Sequence, residues 1–175
     1  MTSLFAGQAF PKTNVDQLGG GALSLGTPRE GKDWQMVVVY RGLHCPICKK
    51  YLAQLDGLKE KFHELGVDVV TVSADPQAKA EAMVDETALT LPVGFGLSIA
   101  QMTALGLHIS DPRGPQETDR PFAEPGLFVI NDKGNIQILD VSNAPFARPD
   151  LESLANGIKF IRANDYPVRG MHRAA

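Results

Sequence analysis

The sequence predicts an α/β fold in which a central mixed β-sheet is flanked by helices on both faces and carries an N-terminal extension. Three observations lead there. Two short, β-branched, continuously apolar runs, "WQMVVVY" at 34–40 and "VDVVTVSA" at 67–74, suit central strands covered on both sides. The first is followed by apolar residues at helical spacing and the second by a helix-start signal at Asp75 and Pro76. A hairpin pattern and a last helix then close the chain, and alternation ending in a hairpin implies a mixed sheet rather than a purely parallel one.

The elements follow in order. Residues 1–33 are rich in Gly, Pro and polar side chains, and "GGGALSLG" at 19–26 offers a short strand between turn signals. This segment reads as an extension, with a hairpin, packed on the domain. After the first central strand, Cys48, Tyr51, Leu52, Leu55, Leu58, Phe62 and Leu65 mark one buried face of a single helix running from Cys45 to Gly66. "DPQAKAEAMVDETAL", 75–89, predicts a helix capped by Asp75 with Pro76 at its first position. "LPVGFG" is a weak third strand and "SIAQMTAL" a short helix. Residues 106–124 form the longest irregular stretch of the interior, a length that often marks function. "GLFVINDKGNIQILDV", 126–141, is a hairpin turned at "NDKG", and 148–165 is a helix with Leu151, Leu154, Ala155, Ile158 and Ile161 on one face. The domain therefore spans 34–165, with a C-terminal tail at 166–175.

At 175 residues, 43% hydrophobic and 21% charged, the chain can bury one core, and a single globular unit is expected. A net charge of −3 gives no basic field to attract nucleic acid or anionic lipid, so neither is an expected partner. The run "KEKFHE" at 59–64 alternates in sign like a solvated helix face. The N-terminus shows no basic segment followed by an apolar one, and no stretch of eighteen apolar residues occurs, so the expected location is the cytoplasm.

The two cysteines of the chain, Cys45 and Cys48, stand in "YRGLHCPICKKYLAQL" at a strand-to-helix junction. In a reducing compartment, such a pair is more often catalytic or metal-bound than structural, and its loop is too short to add much stability. With Pro46 at the first helical position, the free N–H groups of the helix start lie near the Cys45 sulfur and favour its thiolate. His44, Lys49 and Lys50 add positive charge, and two lysines in a first turn oppose the helix dipole, as a functional site tolerates. Cys48 lies one turn deeper on the face of Leu52 and Leu55. The phase thus makes Cys45 the exposed nucleophile and Cys48 the resolving thiol. The alternatives are weaker. Zinc would need two of His44, His63, His108 and His172 to complete the pair, haem attachment requires a histidine where Lys49 stands, and an inert pair leaves the junction unexplained. No cofactor and no metal are expected.

Three stretches, "VVVYRGLHCPICKKYL", "EPGLFVINDKG" and "SNAPFARPDL…FIRANDYPVRG", carry a resemblance. From Trp34 to Asp165 the chain resembles the thioredoxin-fold redoxins, in the peroxiredoxin-like branch of the alkyl hydroperoxide reductase C and thiol-specific antioxidant superfamily. The resemblance implies that Pro125 is the cis proline that packs against the CxxC. The backbone of Glu124 would then hydrogen-bond a bound peptide, while its carboxylate would oppose the thiolate. The chain also departs from the pattern. Gly42 stands where peroxiredoxins carry a threonine, Val38 where they carry a proline, and Pro125 where they carry an arginine. Arg41, Arg113, Arg120 or Arg148 could replace that arginine in space, Arg148 being the first candidate. Val39 stands where thioredoxin has a buried acid, which leaves proton transfer to His44, Glu124 or water.

On these grounds the first reading is a thiol-disulfide oxidoreductase acting on a protein or small-molecule disulfide. The second is a thiol peroxidase acting on a hydroperoxide, and either needs a thiol reductant. The third is a redox-latched binding module using residues 106–124. A homodimer is compatible with each.

Overall fold

A computed structural model describes residues 4–29 and 31–173; residues 1–3 and 174–175, the outer ends of the predicted extension and tail, and Glu30 lie outside the described residues. The strands are β1 (Thr13–Gln17), β2 (Ala22–Leu25), β3 (Trp34–Val39), β4 (Val67–Val72), β5 (Val93–Phe95), β6 (Ile109–Ser110), β7 (Phe122–Ala123), β8 (Gly126–Ile130) and β9 (Ile136–Val141). The helices are α1 (Pro46–Gly57), α2 (Lys59–Glu64), α3 (Gln77–Thr87), α4 (Ile99–Ala104) and α5 (Leu151–Asn164). Seven strands form one sheet in the order β2-β1-β5-β4-β3-β8-β9. β3, β4 and β5 are mutually parallel, whereas β8, β9, β1 and β2 join antiparallel, which makes the sheet mixed as the pattern predicts. β6 and β7 pair separately inside the long 106–124 stretch.

The period of two in β3 sorts the core. Met36, Val38 and Tyr40 face a layer containing Cys48, Leu52 and Leu55 of α1, with residues of α2, α3 and α5. Val37 and Val39 face the opposite layer with Met102 and Leu105. The expected extension is continuous with this sheet, because β1 pairs with β5 through Asp16 and Phe95. Three polar residues, Gln35, Asp68 and Thr71, interrupt the apolar runs of the central strands. Asp68, 1% exposed, accepts from the Arg29 guanidinium at 2.5 and 2.8 Å and from Gln35 Nε2 at 3.1 Å, so its charge is paired inside the fold.

Two helix expectations are corrected. The single helix from Cys45 to Gly66 is broken at Leu58, where Gly57 has low helix propensity and the Asp56 carboxylate is drawn to the Thr90 and Leu91 N–H groups at 2.8 and 3.1 Å. The break keeps both Leu55 and Phe62 fully buried. Asp75 is also not the cap of α3. Pro76 occupies that place without a side-chain bond, because the Asp75 carboxylate turns toward the CxxC loop instead.

Candidate redox site

The cysteines sit where β3 ends and α1 begins. A turn with Cys45 N–H donating to Gly42 O at 3.1 Å carries the chain into the helix, and Pro46 takes the first helical position. Cys45 is the N-cap of α1: its sulfur accepts from the Cys48 N–H at 3.2 Å, the role that a serine or aspartate oxygen usually plays. No disulfide joins the two thiols. Cys48 is fully buried as predicted, but Cys45 is only 2% exposed, which corrects the expectation of an exposed sulfur. An N-cap sulfur folded back over the first turn is covered by the packing that holds that turn.

The electrostatics separate the two sulfurs. The Cys48 thiol hydrogen-bonds the Cys45 sulfur, burial opposes ionisation, and the Cys48 backbone N–H, Arg41 and Arg148 favour it; together they bring the Cys45 pKa down to about 6. The same thiol contact and burial push Cys48 above the ordinary thiol range, although Arg148 Nη2 donates to its sulfur at 2.9 Å. The pH dependence of reactivity follows from the lowered value. Cys45 gains nucleophilicity as pH rises through about 6 and should be near its plateau by neutrality. Alkylation rates measured against pH, with the labelled cysteine identified by peptide mapping, check this. A midpoint at the ordinary thiol value would contradict it.

Arg148 contacts the pair directly, and Arg41 acts on Cys45 through its charge. The Arg148 guanidinium lies 4.9 Å from the Tyr51 ring centroid and donates to Pro145 O at 2.9 Å, while Tyr51 Oη donates to Pro149 O at 2.9 Å. Helix α1 thereby holds the 145–149 segment over its own first turns. Arg41 packs on Phe122, with 4.8 Å to the centroid, and pairs with Glu124 at 3.3 Å and Glu117 at 3.5 Å. Glu124 further accepts from Ser110 Oγ at 2.7 Å. Arg113 and Arg120, the other arginine candidates, are engaged by Glu117 and Asp119.

The remaining predicted residues divide. Pro125 borders a narrow recess with Val38, Tyr51, Leu127, Arg148 and Pro149, but its peptide bond is trans, since no cis bond occurs among the described residues. The chain here leaves the β6–β7 pairing and enters β8 in extended form, a path that a trans bond continues. The Glu124 N–H is not free for a peptide, because it donates to His108 O at 2.8 Å. His44 adds no full positive charge at neutral pH: burial and then Arg41 lower its pKa, and its ring packs 4.6 Å from that of Phe122. Lys49 turns away to Glu86, and Lys50 is exposed.

Gly42 is buried, with φ +145°. A Cβ placed there would lie 2.8 Å from both Asp75 carboxylate oxygens, so no side chain, including a threonine, fits without displacing Asp75. The sequence reading missed Asp75, Glu117, Phe122, Tyr40 and Tyr51 as neighbours of the site; only the length of the 106–124 stretch hinted at the second and third. Larger cavities near Asp33, Trp34 and Tyr166 lie at the opposite end of β3. Among the described residues, no three His, Cys, Asp or Glu side chains converge to hold a metal ion, and no helix is long and apolar enough to cross a membrane.

A family model described as Redoxin matches residues 5–156. Peroxiredoxin-2 of Pongo abelii is 27% identical over 120 residues, covering 69% of this chain and 65% of its own length. Thiol-disulfide oxidoreductase ResA of Halalkalibacterium halodurans is 26% identical over 132 residues, covering 75% of this chain and 65% of its own length. The chain thus spans slightly less than two thirds of these relatives. Among solved structures, a mutant peroxiredoxin 6 of Arenicola marina superimposes with TM-score 0.74 at 17% identity, covering 93% of this chain and 76% of that one. Peroxidoxin BcpB of Mycobacterium tuberculosis gives 0.67 at 18% identity, covering 91% and 97%. These likenesses show the thioredoxin-like fold.

Proposed function

The chain belongs to the Redoxin family, and from that premise we propose that it is a thiol peroxidase that reduces hydroperoxides through Cys45, with Cys48 as the resolving thiol. The observation that carries this reading is the placement of Cys45: its sulfur accepts the Cys48 N–H at 3.2 Å at the start of α1, an arrangement that lowers its pKa, and yet the residue is only 2% exposed. A small hydroperoxide needs far less opening of the surrounding segments than a protein disulfide does. The peroxiredoxins among the relatives support the same reading.

The Cys45 thiolate attacks the terminal peroxide oxygen, the O–O bond breaks, and the departing alkoxide takes a proton to leave as alcohol or water. Sulfur is oxidised to sulfenic acid as the peroxide is reduced. Cys48, losing its proton, attacks the Cys45 sulfur; a disulfide forms and water leaves. An external thiol reductant returns two electrons and two protons by exchange. Arg41 and Arg148 place positive charge beside the dithiol, which favours the attacking thiolate and the charge that develops on the leaving oxygen.

Thiol-disulfide exchange is the second reading, favoured by Gly42, which offers no hydroxyl to a peroxide, and by the relative named as an oxidoreductase. Stopped-flow rates of the reduced protein with hydrogen peroxide and with a small aromatic disulfide, each divided by the rate of free cysteine at the same pH, decide between them. The peroxidase reading expects the larger enhancement for peroxide; a larger one for the disulfide overturns the order.

A further inference from the structure

Asp75 is a buried ionisable group that the redox steps leave unused. It is 2% exposed, lies just beyond the end of β4, and directs its carboxylate at the loop that delivers Cys45. Oδ2 accepts from the Leu43 N–H at 2.7 Å, and both oxygens lie against the bare Cα side of Gly42. The Asp75 backbone is itself fixed: its N–H donates to Ser73 Oγ at 3.2 Å, and its carbonyl accepts from Gly96 N–H at 2.8 Å. The carboxylate is therefore a rigid post on the sheet. The turn from Gly42 to Cys45 is the part held against it.

We propose that Asp75 is a positioning residue for Cys45: by holding the Leu43 N–H and filling the space over Gly42, it fixes the turn that sets the Cys45 sulfur on the first turn of α1. The inference rests on Cys45 being the reactive sulfur and deepens that reading. Its chemistry is specific. The stabilised Cys45 thiolate depends on the Cys48 N–H and thiol pointing at its sulfur, and those bonds survive only while residues 42–45 keep their path. A loop released from Asp75 keeps its sequence but loses that alignment.

Positioning and simple charge effects predict opposite signs. Lys79, Arg120, Asp119 and Tyr40 are the charged or titratable groups that surround Asp75, and burial raises its pKa. If Asp75 acted on Cys45 only through its negative charge, removing that charge would favour the thiolate and lower the Cys45 midpoint. If it acts by holding the turn, deletion raises the midpoint. Asparagine, which keeps an oxygen acceptor of the same shape, restores it.

The test is the pH profile of Cys45 alkylation by iodoacetamide in wild type, Asp75→Ala and Asp75→Asn, with Cys45→Ser as the control that identifies the labelled sulfur. The expected result for Asp75→Ala is a midpoint raised by about one unit, so that alkylation near pH 6 slows by about fivefold while the rate above pH 9 changes less than about twofold. Asp75→Asn should stay close to wild type. An unchanged or lowered midpoint in Asp75→Ala overturns the proposal, as does a shift in Asp75→Asn as large as that in Asp75→Ala. Should Asp75→Ala fail to fold, amide hydrogen exchange in wild type and Asp75→Asn decides: protection of the Leu43 N–H in both is expected, and exchange at the rate of an unprotected loop amide overturns it. Labelling of Cys48 rather than Cys45 in wild type would instead remove the assignment on which the inference rests.

Discussion

Cys45→Ser is expected to slow peroxide reduction by at least about a thousandfold while leaving the fold intact. The size of the loss follows from the chemistry: a serine hydroxyl is not ionised near neutrality and is a poor nucleophile toward an O–O bond. The intact fold follows from the position. Cys45 caps α1 by accepting the Cys48 N–H, and serine is among the preferred residues for that place. A thermal midpoint close to wild type, measured beside peroxide consumption, separates lost chemistry from lost structure. Residual activity within about tenfold of wild type would mean that Cys45 is not the attacking sulfur.

Cys48→Ser is expected to uncouple the two half-reactions. The first turnover still consumes peroxide, since Cys45 keeps its helix-cap contact with the backbone N–H of residue 48. The sulfenic acid then has no partner thiol, because the chain holds no third cysteine. Steady-state turnover with a thiol reductant should fall by about tenfold or more, and a 1,3-dione probe should label Cys45 after a single equivalent of peroxide, as it does not in wild type. Excess peroxide should drive the trapped species to the sulfinic state. Wild-type turnover in this variant would show that resolution does not use Cys48. In Cys48→Ala, which removes the side-chain donor altogether, the Cys45 midpoint should move upward, since the Cys48 thiol contact is the largest influence that lowers it.

Much of this was legible in the sequence because it depends on local periodicity. The apolar runs at 34–40 and 67–74 became β3 and β4, and "NDKG" turned β8 into β9. Helical phase buried Cys48 on the face of Leu52 and Leu55 and put Pro46 at the start of α1. The failures share a cause, which is tertiary contact. Asp75 has the residue type of a helix cap, and only the fold reveals that it prefers the Leu43 N–H to the start of α3. The burial of Cys45 depends on segments far along the chain, and Arg148 reaches Cys48 across a separation of 100 residues. Pro125 shares its place with the cis proline of the resembled family, yet the chain continues straight into β8 with a trans bond. The exchange of rank between disulfide and peroxide chemistry has the same origin. A missing threonine at Gly42 weighs against a peroxidase in the sequence, whereas the buried, arginine-flanked sulfur that favours one exists only in three dimensions.

A single turnover tests the chemistry of the pair: the fully reduced protein is mixed at neutral pH with one equivalent of hydrogen peroxide, and thiol loss, peroxide loss and the peptide map are followed together. One peroxide is expected to disappear for every two thiols, faster than with free cysteine, with a Cys45–Cys48 disulfide as the product. Consumption no faster than by free cysteine, or a product without that disulfide, would contradict that chemistry.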